Sequence, residues 1–359
     1  MVVLSAPPPK TQAPDLAALS AYLQTLGDRV IAGEPLEKAE ALVLSEIEGE
    51  EAILLLCETA DRIRRRCCGD TVDLCSIVNV KSGNCSENCG YCSQSSHHPS
   101  PDSSIYGLKS QTEILEHARA AEAAGAKRFC LVSQGRGPKY ASPKSQEFEQ
   151  ILETVRLIIQ ETQIKPCCAL GEITPEQARR LKEAGVTRYN HNLESAENFF
   201  ADIVTTHSWQ DRVETVKNLK EAGIQACTGG ILGMGESWED RIDLALALRD
   251  LEVESVPLNL LNPRPGTPLA ERPRLDPYEA LKAMAIFRCL LPRQIIRYAG
   301  GREAVMGALQ SLGLQAGINA MLIGNYLTTL GQPPEQDHLM LASLGLTGGE
   351  APLPGEYQV

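Results

Sequence analysis

The feature that most constrains this chain is a repeated alternation. Short apolar runs give way to segments of helical periodicity, again and again, from residue 72 to residue 330. The strand-like runs lie at 72–80, 127–133, 165–170, 186–193, 224–232, 255–261, 294–299 and 317–323. Helical patterns fall at 111–124, 145–162, 175–184, 209–222, 238–250, 276–290 and 302–312, with another near 324–330. Strands joined through helices pair in parallel, because each crossover returns the chain to the same end of the sheet. Eight such units close most economically as a (β/α)8 barrel of the TIM type, with an open doubly wound sheet as the alternative. Ala124-Gly125, Ala184-Gly185 and Ala222-Gly223 end three of the helical patterns, where glycine suits a left-handed C-cap leading into a strand. Pro175, directly after Thr174, suits the first turn of its helix.

Helical patterns at 15–26, 35–47 and 49–66 precede the alternation. The expected fold class is therefore α/β, a (β/α)8 TIM-type barrel with an N-terminal helical extension. Residues 1–34 form an N-terminal extension whose Pro-rich start (1–14) is expected to be disordered. Residues 35–70 are expected to be N-terminal helices, residues 71–346 one barrel, and residues 347–359 a flexible C-terminal tail.

Composition excludes several functions. The chain has 359 residues, 43% of them hydrophobic, enough for a full core. A net charge of −12 lacks the basic footprint of general nucleic-acid binding. No apolar run reaches the length of a membrane span. The N-terminus lacks the basic region and apolar stretch of a secretory signal. Twelve cysteines in so large a chain do not read as a disulfide framework, and a reducing cytoplasm fits them best.

Three of those cysteines, Cys85, Cys89 and Cys92, stand as C-x3-C-x2-C directly after the first strand. A loop there emerges at the C-terminal rim, where ligands bind in both architectures. Three close thiolates can wrap one face of a metal cluster and leave a fourth metal site open for substrate. A zinc site, or three unrelated buried thiols, are the alternatives. Cys130, Cys167 and Cys227 sit in the second, third and fifth strand candidates, which converge inside a barrel and can there meet around a second cluster. Each alone reads more readily as a core residue. Cys168 points to the opposite face from Cys167, and Cys75 on the first strand is a further candidate for the interior.

Arg297 interrupts an apolar strand, which is costly without a partner. It reads either as one half of a buried ion pair or as part of an interior polar site. Asn190 and Asn192 share one strand face, with His191 on the other. With Asn259 they offer amides that can both donate to and accept from a urea or amide group. The glycine-rich stretch 228–236 allows backbone to approach a ligand closely, although its spacing is not a dinucleotide fingerprint.

Taken together, these segments resemble the biotin synthase family of the radical S-adenosylmethionine (SAM) superfamily. The phrases that carry the resemblance are the cysteine loop ending Ser-Gln-Ser, RFC at 128–130, RYNHNLE at 188–194, ACTGGILGMGE at 226–236, SVPLNLL at 255–261, GTPL at 266–269 and IRYAGGRE at 296–303. They run in the family's order from about residue 35 to 346. The resemblance implies a sulfurtransferase that inserts sulfur between two unactivated carbons of dethiobiotin, the last step of biotin formation. It implies that Cys85, Cys89 and Cys92 hold a 4Fe-4S cluster whose open iron chelates SAM. It implies that Cys130, Cys167, Cys227 and Arg297 hold an auxiliary 2Fe-2S cluster that supplies the sulfur. Tyr91, Asn192, Glu194, Gly229, Gly230, Ile231 and Glu236 then fall on the SAM side, and Asn190, Asn192 and Asn259 around the ureido ring of dethiobiotin. Glu194 stands where Asp is familiar, and Tyr298-Ala299 follows the arginine in place of an aliphatic-Ser pair.

The implied partners are a low-potential electron donor of the flavodoxin or ferredoxin type, the iron–sulfur assembly machinery and a second copy of the chain as a homodimer. Two competing readings stand beside this one. A related radical SAM mutase, lyase or maturase shares the first cluster without inserting sulfur. A non-catalytic iron–sulfur or zinc sensor needs no small-molecule pocket.

Overall fold

A computed structural model describes residues 15–142 and 145–357. The Pro-rich segment 1–14 lies outside the described residues. Three helices come first: α1 (Leu16–Ile31), α2 (Lys38–Ser45) and α3 (Glu50–Cys68). Helix α1 is longer than its sequence pattern indicates, and its N-terminus is set by Asp15, whose side chain accepts from the amides of Ala17 and Ala18.

Next come β1 (Thr71–Lys81), α4 (Gln111–Ala123), β2 (Arg128–Ser133), α5 (Glu147–Glu161), β3 (Lys165–Ala169), α6 (Pro175–Ala184) and β4 (Arg188–Asn190). They are followed by α7 (Glu197–Ile203), α8 (Trp209–Glu221), β5 (Gln225–Cys227), β6 (Gly230–Leu232), α9 (Trp238–Asp250), β7 (Ser255–Leu260), α10 (Pro277–Leu290) and β8 (Ile295–Tyr298). The chain ends with α11 (Arg302–Met306), α12 (Gln310–Gln315), β9 (Ala320–Leu322), α13 (Pro334–Ser343) and β10 (Thr347–Gly349).

All pairings between these strands are parallel, in the order β1-β2-β3-β4-β5-β7-β8-β9, and β9 pairs back to β1 through Asp73 and Ala320. The sheet is therefore closed, and the doubly wound alternative is excluded. Strands β5 and β6 together make the fifth stave. The single strand expected over 224–232 is broken at Thr228-Gly229, where a Cβ on Gly229 would lie 2.0 Å from the carbonyl oxygen of Pro257. The backbone there is pressed against β7, and only glycine allows it.

Local sequence sets the helix ends. Thr174 and Gln177 form a reciprocal capping box around Pro175, and Gly185 ends α6 in the left-handed region at φ 104°. Gly125 and Gly223 do the same after α4 and α8. Ser208 with Asp211 and Ser237 with Asp240 repeat the capping box at α8 and α9.

Three expectations are corrected. The helix expected near 324–330 is irregular chain, and α13 begins only at Pro334, after Pro333. Gly324 is left-handed there (φ 78°), and Gly331 packs against its carbonyl. The helix expected over 302–312 is split at Gly307, also left-handed at φ 49°. The segment from 347, expected as a flexible tail, begins with β10, which pairs with Thr71–Asp73 of β1 before the pairing to β2 starts at Cys75. Beyond it Glu350 bonds Arg128 and Lys165, and Ala351 packs on Ile295 and Ala320. Among the described residues no helix is long and apolar enough to cross a membrane.

Candidate active site

The floor of the barrel is ionic. Asp73 of β1 is fully buried, and its Oδ1 accepts from Nη2 of Arg297. Arg297 Nη1 donates to the carbonyls of Asp73 and Met321 at 3.3 and 3.1 Å. Two more guanidinium groups, of Arg128 and Arg188, stand 3.7 and 3.6 Å from the same carboxylate. Burial works against charge on Asp73, but the three arginines hold its carboxyl below the ordinary range. One carboxylate cannot satisfy three cations. Arg128 Nη2 turns outward to Glu350 at 2.7 Å, while both Nη atoms of Arg188 have no hydrogen-bond partner. This floor was not expected from sequence, apart from a partner for Arg297. The available signal was period two: Arg128 shares a face with Cys130, Arg188 with Asn190, and Asp73 with Cys75.

Above the floor the thiols converge. Cys130 and Cys167 are direct neighbours across the β2–β3 ladder and pack together with Ala169. Both line a cavity of about 340 Å³ with Cys75, Cys227 and Arg297. Asn190, Asn192 and Asn259 face the same cavity. Their amides are partly held by backbone: Asn190 donates to the Cys227 carbonyl at 3.0 Å and Asn259 to that of Gly230 at 3.2 Å. Asn192 accepts from Asn190 and from the amide of Gly229, both at 3.2 Å. Cys168 lies outside this chamber in the main core, on the opposite strand face as expected.

The Cys85–Cys92 loop forms a second chamber on the rim. Its thiols line a cavity of about 220 Å³ with Tyr91, Gln94, His191, Glu194, His207 and Arg212. Tyr91, Cys92, Gln94, Val132, Asn190 and Asn192 line both cavities, so the two chambers share a wall. The loop is held by backbone. Cys85 bonds the Gln94 carbonyl at 2.9 Å, and Gly90 bonds that of Ile203 at 2.8 Å. His98 Nε2 contacts the carbonyls of Cys89 and Cys92 at 3.0 and 3.2 Å. Burial pushes the Cys89 thiol up to about 11 and the Cys92 thiol up to about 12, so both give up a proton when metal binds. Among the described residues no three His, Cys, Asp or Glu side chains are set around a single metal ion. Thiols that bind different irons of one cluster need not converge in that way.

Glu194 is the most strained residue of the second chamber. Its φ is 68°, in the left-handed region, and it is held there by Gly229 and by a bridge to Gly230. Its Oε2 is buried without a hydrogen-bond partner. Burial raises its carboxyl pKa, although Arg212, 3.6 Å away, opposes the shift. Arg212 donates to the Asn192 carbonyl at 2.8 Å and to His207 Nε2 at 3.0 Å. Arg212, His207 and Glu87 were missed from sequence, because each looks like an ordinary surface residue beside a cap or a cysteine.

The glycine-rich turn divides. Ile231 lines the larger cavity. Gly229 and Gly230 are packed against the Pro257 and Glu194 backbone and line neither cavity. Glu236 points away from both: it accepts from the amides of Gly233 and Gly235 and from Arg241, and so fixes the turn.

The donor set suits two iron–sulfur groups and a ligand with charged ends. One chamber holds three loop thiols beside an unpartnered carboxylate oxygen and a buried guanidinium. The other holds strand thiols above orphaned arginine N–H groups, which favour an anionic occupant.

Comparisons with known proteins bear on the family and the fold. The Radical SAM superfamily model matches residues 79–248, and the Biotin and Thiamin Synthesis associated domain matches residues 257–347. A biotin synthase of Cyanothece sp. is 72% identical, over 99% of this chain and 98% of its own length. A biotin synthase of Synechocystis sp. is 75% identical, again over 99% of this chain and 98% of its own length. Among solved structures, methylornithine synthase aligns with TM-score 0.79 at 20% identity, covering 90% of this chain and 97% of that one. The FeFe-hydrogenase maturase HydG from Carboxydothermus hydrogenoformans aligns with TM-score 0.75 at 17% identity, covering 94% and 86%. These two likenesses speak to the fold alone.

Proposed function

The chain belongs to the biotin synthase family, and from that premise we propose how its own residues divide the work. The reaction is the radical SAM-dependent conversion of dethiobiotin to biotin by sulfur insertion. The cofactors are a 4Fe-4S cluster with SAM and a 2Fe-2S cluster. When bound, the first supplies an adenosyl radical able to take hydrogen from an unactivated carbon, and the second supplies sulfur.

Cys85, Cys89 and Cys92 hold the first cluster. Arg212 and Glu194 face the polar parts of SAM, with Tyr91 and Asn192 walling the pocket and Ile231 on the side of the larger cavity. Gly229, Gly230 and Glu236 act one step back, by fixing the turn that carries Ile231. Cys130, Cys167, Cys227 and Arg297 hold the auxiliary cluster. Asn190, Asn192 and Asn259 orient the ureido group of dethiobiotin between the two. The observation that carries this reading is the shared wall: a substrate bound at Asn190 and Asn192 touches both chambers at once. The barrel holds the reacting groups in one orientation.

Electron delivery by a flavodoxin- or ferredoxin-type donor, cluster supply by the iron–sulfur assembly machinery, a homodimeric state and a cytoplasmic location belong to the same proposal. Paired variants test the division of labour. Cys89→Ser abolishes 5′-deoxyadenosine formation, whereas Cys130→Ser lowers biotin yield more than 5′-deoxyadenosine yield. Normal 5′-deoxyadenosine from the first variant, or normal biotin from the second, overturns the assignment.

A further inference from the structure

The N-terminal end of the barrel is closed by residues 347–357. Strand β10 lies beside the start of β1, with Thr347, Gly348 and Gly349 opposite Thr71, Val72 and Asp73. A Cβ on Gly348 would come within 2.5 Å of Leu74 Cδ1, so the strand is seated closely. From there the chain crosses the end of the barrel. Glu350 Oε1 accepts from Arg128 Nη2 at 2.7 Å and from Lys165 Nζ at 2.8 Å, at the first residues of β2 and β3. Ala351 and Leu353 pack on Ile295 and Ala320, the first residues of β8 and β9. Tyr357 lies against Gly69, just before β1.

This cover is thin and lightly held. Arg128 lines the auxiliary cavity and also bonds Glu350, so a single side chain touches both the chamber and its cover. Among the described residues, Glu350 is the one side chain of Glu350–Tyr357 that hydrogen-bonds the barrel. The Glu350 side chain is 36% exposed and that of Lys165 48%. An ion pair with that much solvent around it opens readily.

Behind the cover the floor is cationic. Arg128, Arg188 and Arg297 surround one internal carboxylate, Asp73, and both Nη atoms of Arg188 have no hydrogen-bond partner. Without Glu350 the excess of positive charge would face the opening, where it draws in a small anion and holds back cations. The Glu350 carboxylate occupies the place at Arg128 that a soluble anion would take. Sulfur insertion takes a sulfur atom out of the chain with each product, so sulfur at the sulfide level must enter the chamber before the next round. Toward the rim, the same cavity is lined by Asn190, Asn192 and Asn259 and by the chain at 326–329, on the side where dethiobiotin binds in the reading above.

We propose that Thr347–Tyr357 is a removable plug, latched by Glu350 on Arg128, and that hydrosulfide enters the auxiliary chamber through this end when the latch opens. Opening breaks no covalent bond: Glu350 passes from Arg128 to water. This inference rests on the auxiliary sulfur site proposed above.

The test follows cluster assembly in the full chain. Chain that carries its 4Fe-4S cluster but has been stripped of the auxiliary cluster is given 57Fe(II) and sodium sulfide without oxygen, and Mössbauer spectra follow the growing 2Fe-2S signal. Glu350→Ala is expected to assemble the auxiliary cluster about five-fold faster than wild type, the factor that loss of one exposed ion pair gives an opening equilibrium, and to lose it to a chelator faster by a similar factor. Loss of 4Fe-4S iron to the same chelator is expected to be unchanged. Wild-type assembly is expected to keep its rate when SAM and dethiobiotin, with binding verified, fill the rim side. Auxiliary rates in Glu350→Ala equal to wild type overturn the proposal, and so does equal acceleration at both clusters, which marks general loosening. Arrest of wild-type assembly by bound SAM and dethiobiotin overturns it even if Glu350→Ala fails to fold. A wild-type chain that builds no 2Fe-2S cluster at all overturns the underlying site, whereas a cluster that assembles at equal rates in both chains removes only the plug.

Discussion

His207 Nδ1 lies 2.6 Å from Oε2 of Glu87, so the middle of the cysteine loop is tied to the N-terminus of α8. Arg212 donates its Nε–H to His207 Nε2, which must therefore be the unprotonated nitrogen. The carboxylate accepts from Nδ1–H, the ring stays neutral, and the chain of contacts ends at Asn192 and Glu194. Burial and the Arg212 cation push the His207 pKa down, against Glu87, which agrees with a neutral ring. His207→Ala is expected to weaken SAM binding about ten-fold, in line with loss of a supporting hydrogen bond behind a ligand group. Equilibrium SAM titration of the iron-loaded chain checks this. Unchanged affinity would mean that Arg212 holds its place without the pair.

The barrel floor makes a stability prediction. Asp73→Ala leaves three buried guanidinium groups with only Glu350 as a carboxylate and is expected to cost about 3–5 kcal/mol, read by urea unfolding of the metal-free chain. The pH dependence follows from the sign of the shift. The folded pKa of Asp73 lies below its unfolded value, so its contribution is present above about pH 4 and is lost as pH falls further, through the folded value. A variant whose acid unfolding midpoint equals that of wild type would contradict the role of Asp73.

Glu194 predicts the opposite slope. Its pKa is raised in the fold, so the folded chain binds its proton more readily than the unfolded chain. Between the two values stability falls as pH rises. Glu194→Gln is expected to remove that slope and to raise the melting temperature of the metal-free chain at neutral pH, while weakening SAM binding. A Gln variant less stable than wild type at neutral pH would show that the carboxylate is satisfied by its surroundings.

Gly229→Ala tests the broken fifth stave. The added methyl meets the Pro257 carbonyl oxygen at 2.0 Å, so β6 must shift away from β7. A loss of about 1–3 kcal/mol is expected, together with weaker SAM binding, because Ile231 moves with the strand. Circular dichroism melting and SAM titration measure the two effects, and neither changing would contradict the packing described.

The sequence makes some of this legible and hides the rest for physical reasons. Alternation of apolar runs and helical patterns exposes the barrel, because the staves are buried strands and crossovers such as α5 and α6 show an amphipathic face. The Cys85–Cys92 spacing exposes the rim site, because all three donors are local in sequence. Asn190, Asn192 and Asn259 stand out as polar residues in strands. Asp73, Arg128 and Arg188 do not, since a single charge at a strand's start reads as its solvent end; only closure of the barrel brings them together. The break at Thr228-Gly229 and the irregular chain at 324–330 are set by tertiary contacts with β7 and with Gly331, which periodicity does not register. Glu87 and His207 are 120 residues apart, and nothing local in either marks the pair.

The central claim is tested most directly by product analysis. The chain, reconstituted with iron and sulfide without oxygen, is given dethiobiotin, SAM and a low-potential reductant, and products are read by mass spectrometry. The account predicts biotin together with 5′-deoxyadenosine. With both clusters verified, 5′-deoxyadenosine without biotin would contradict the auxiliary sulfur site, and neither product would contradict the account as a whole.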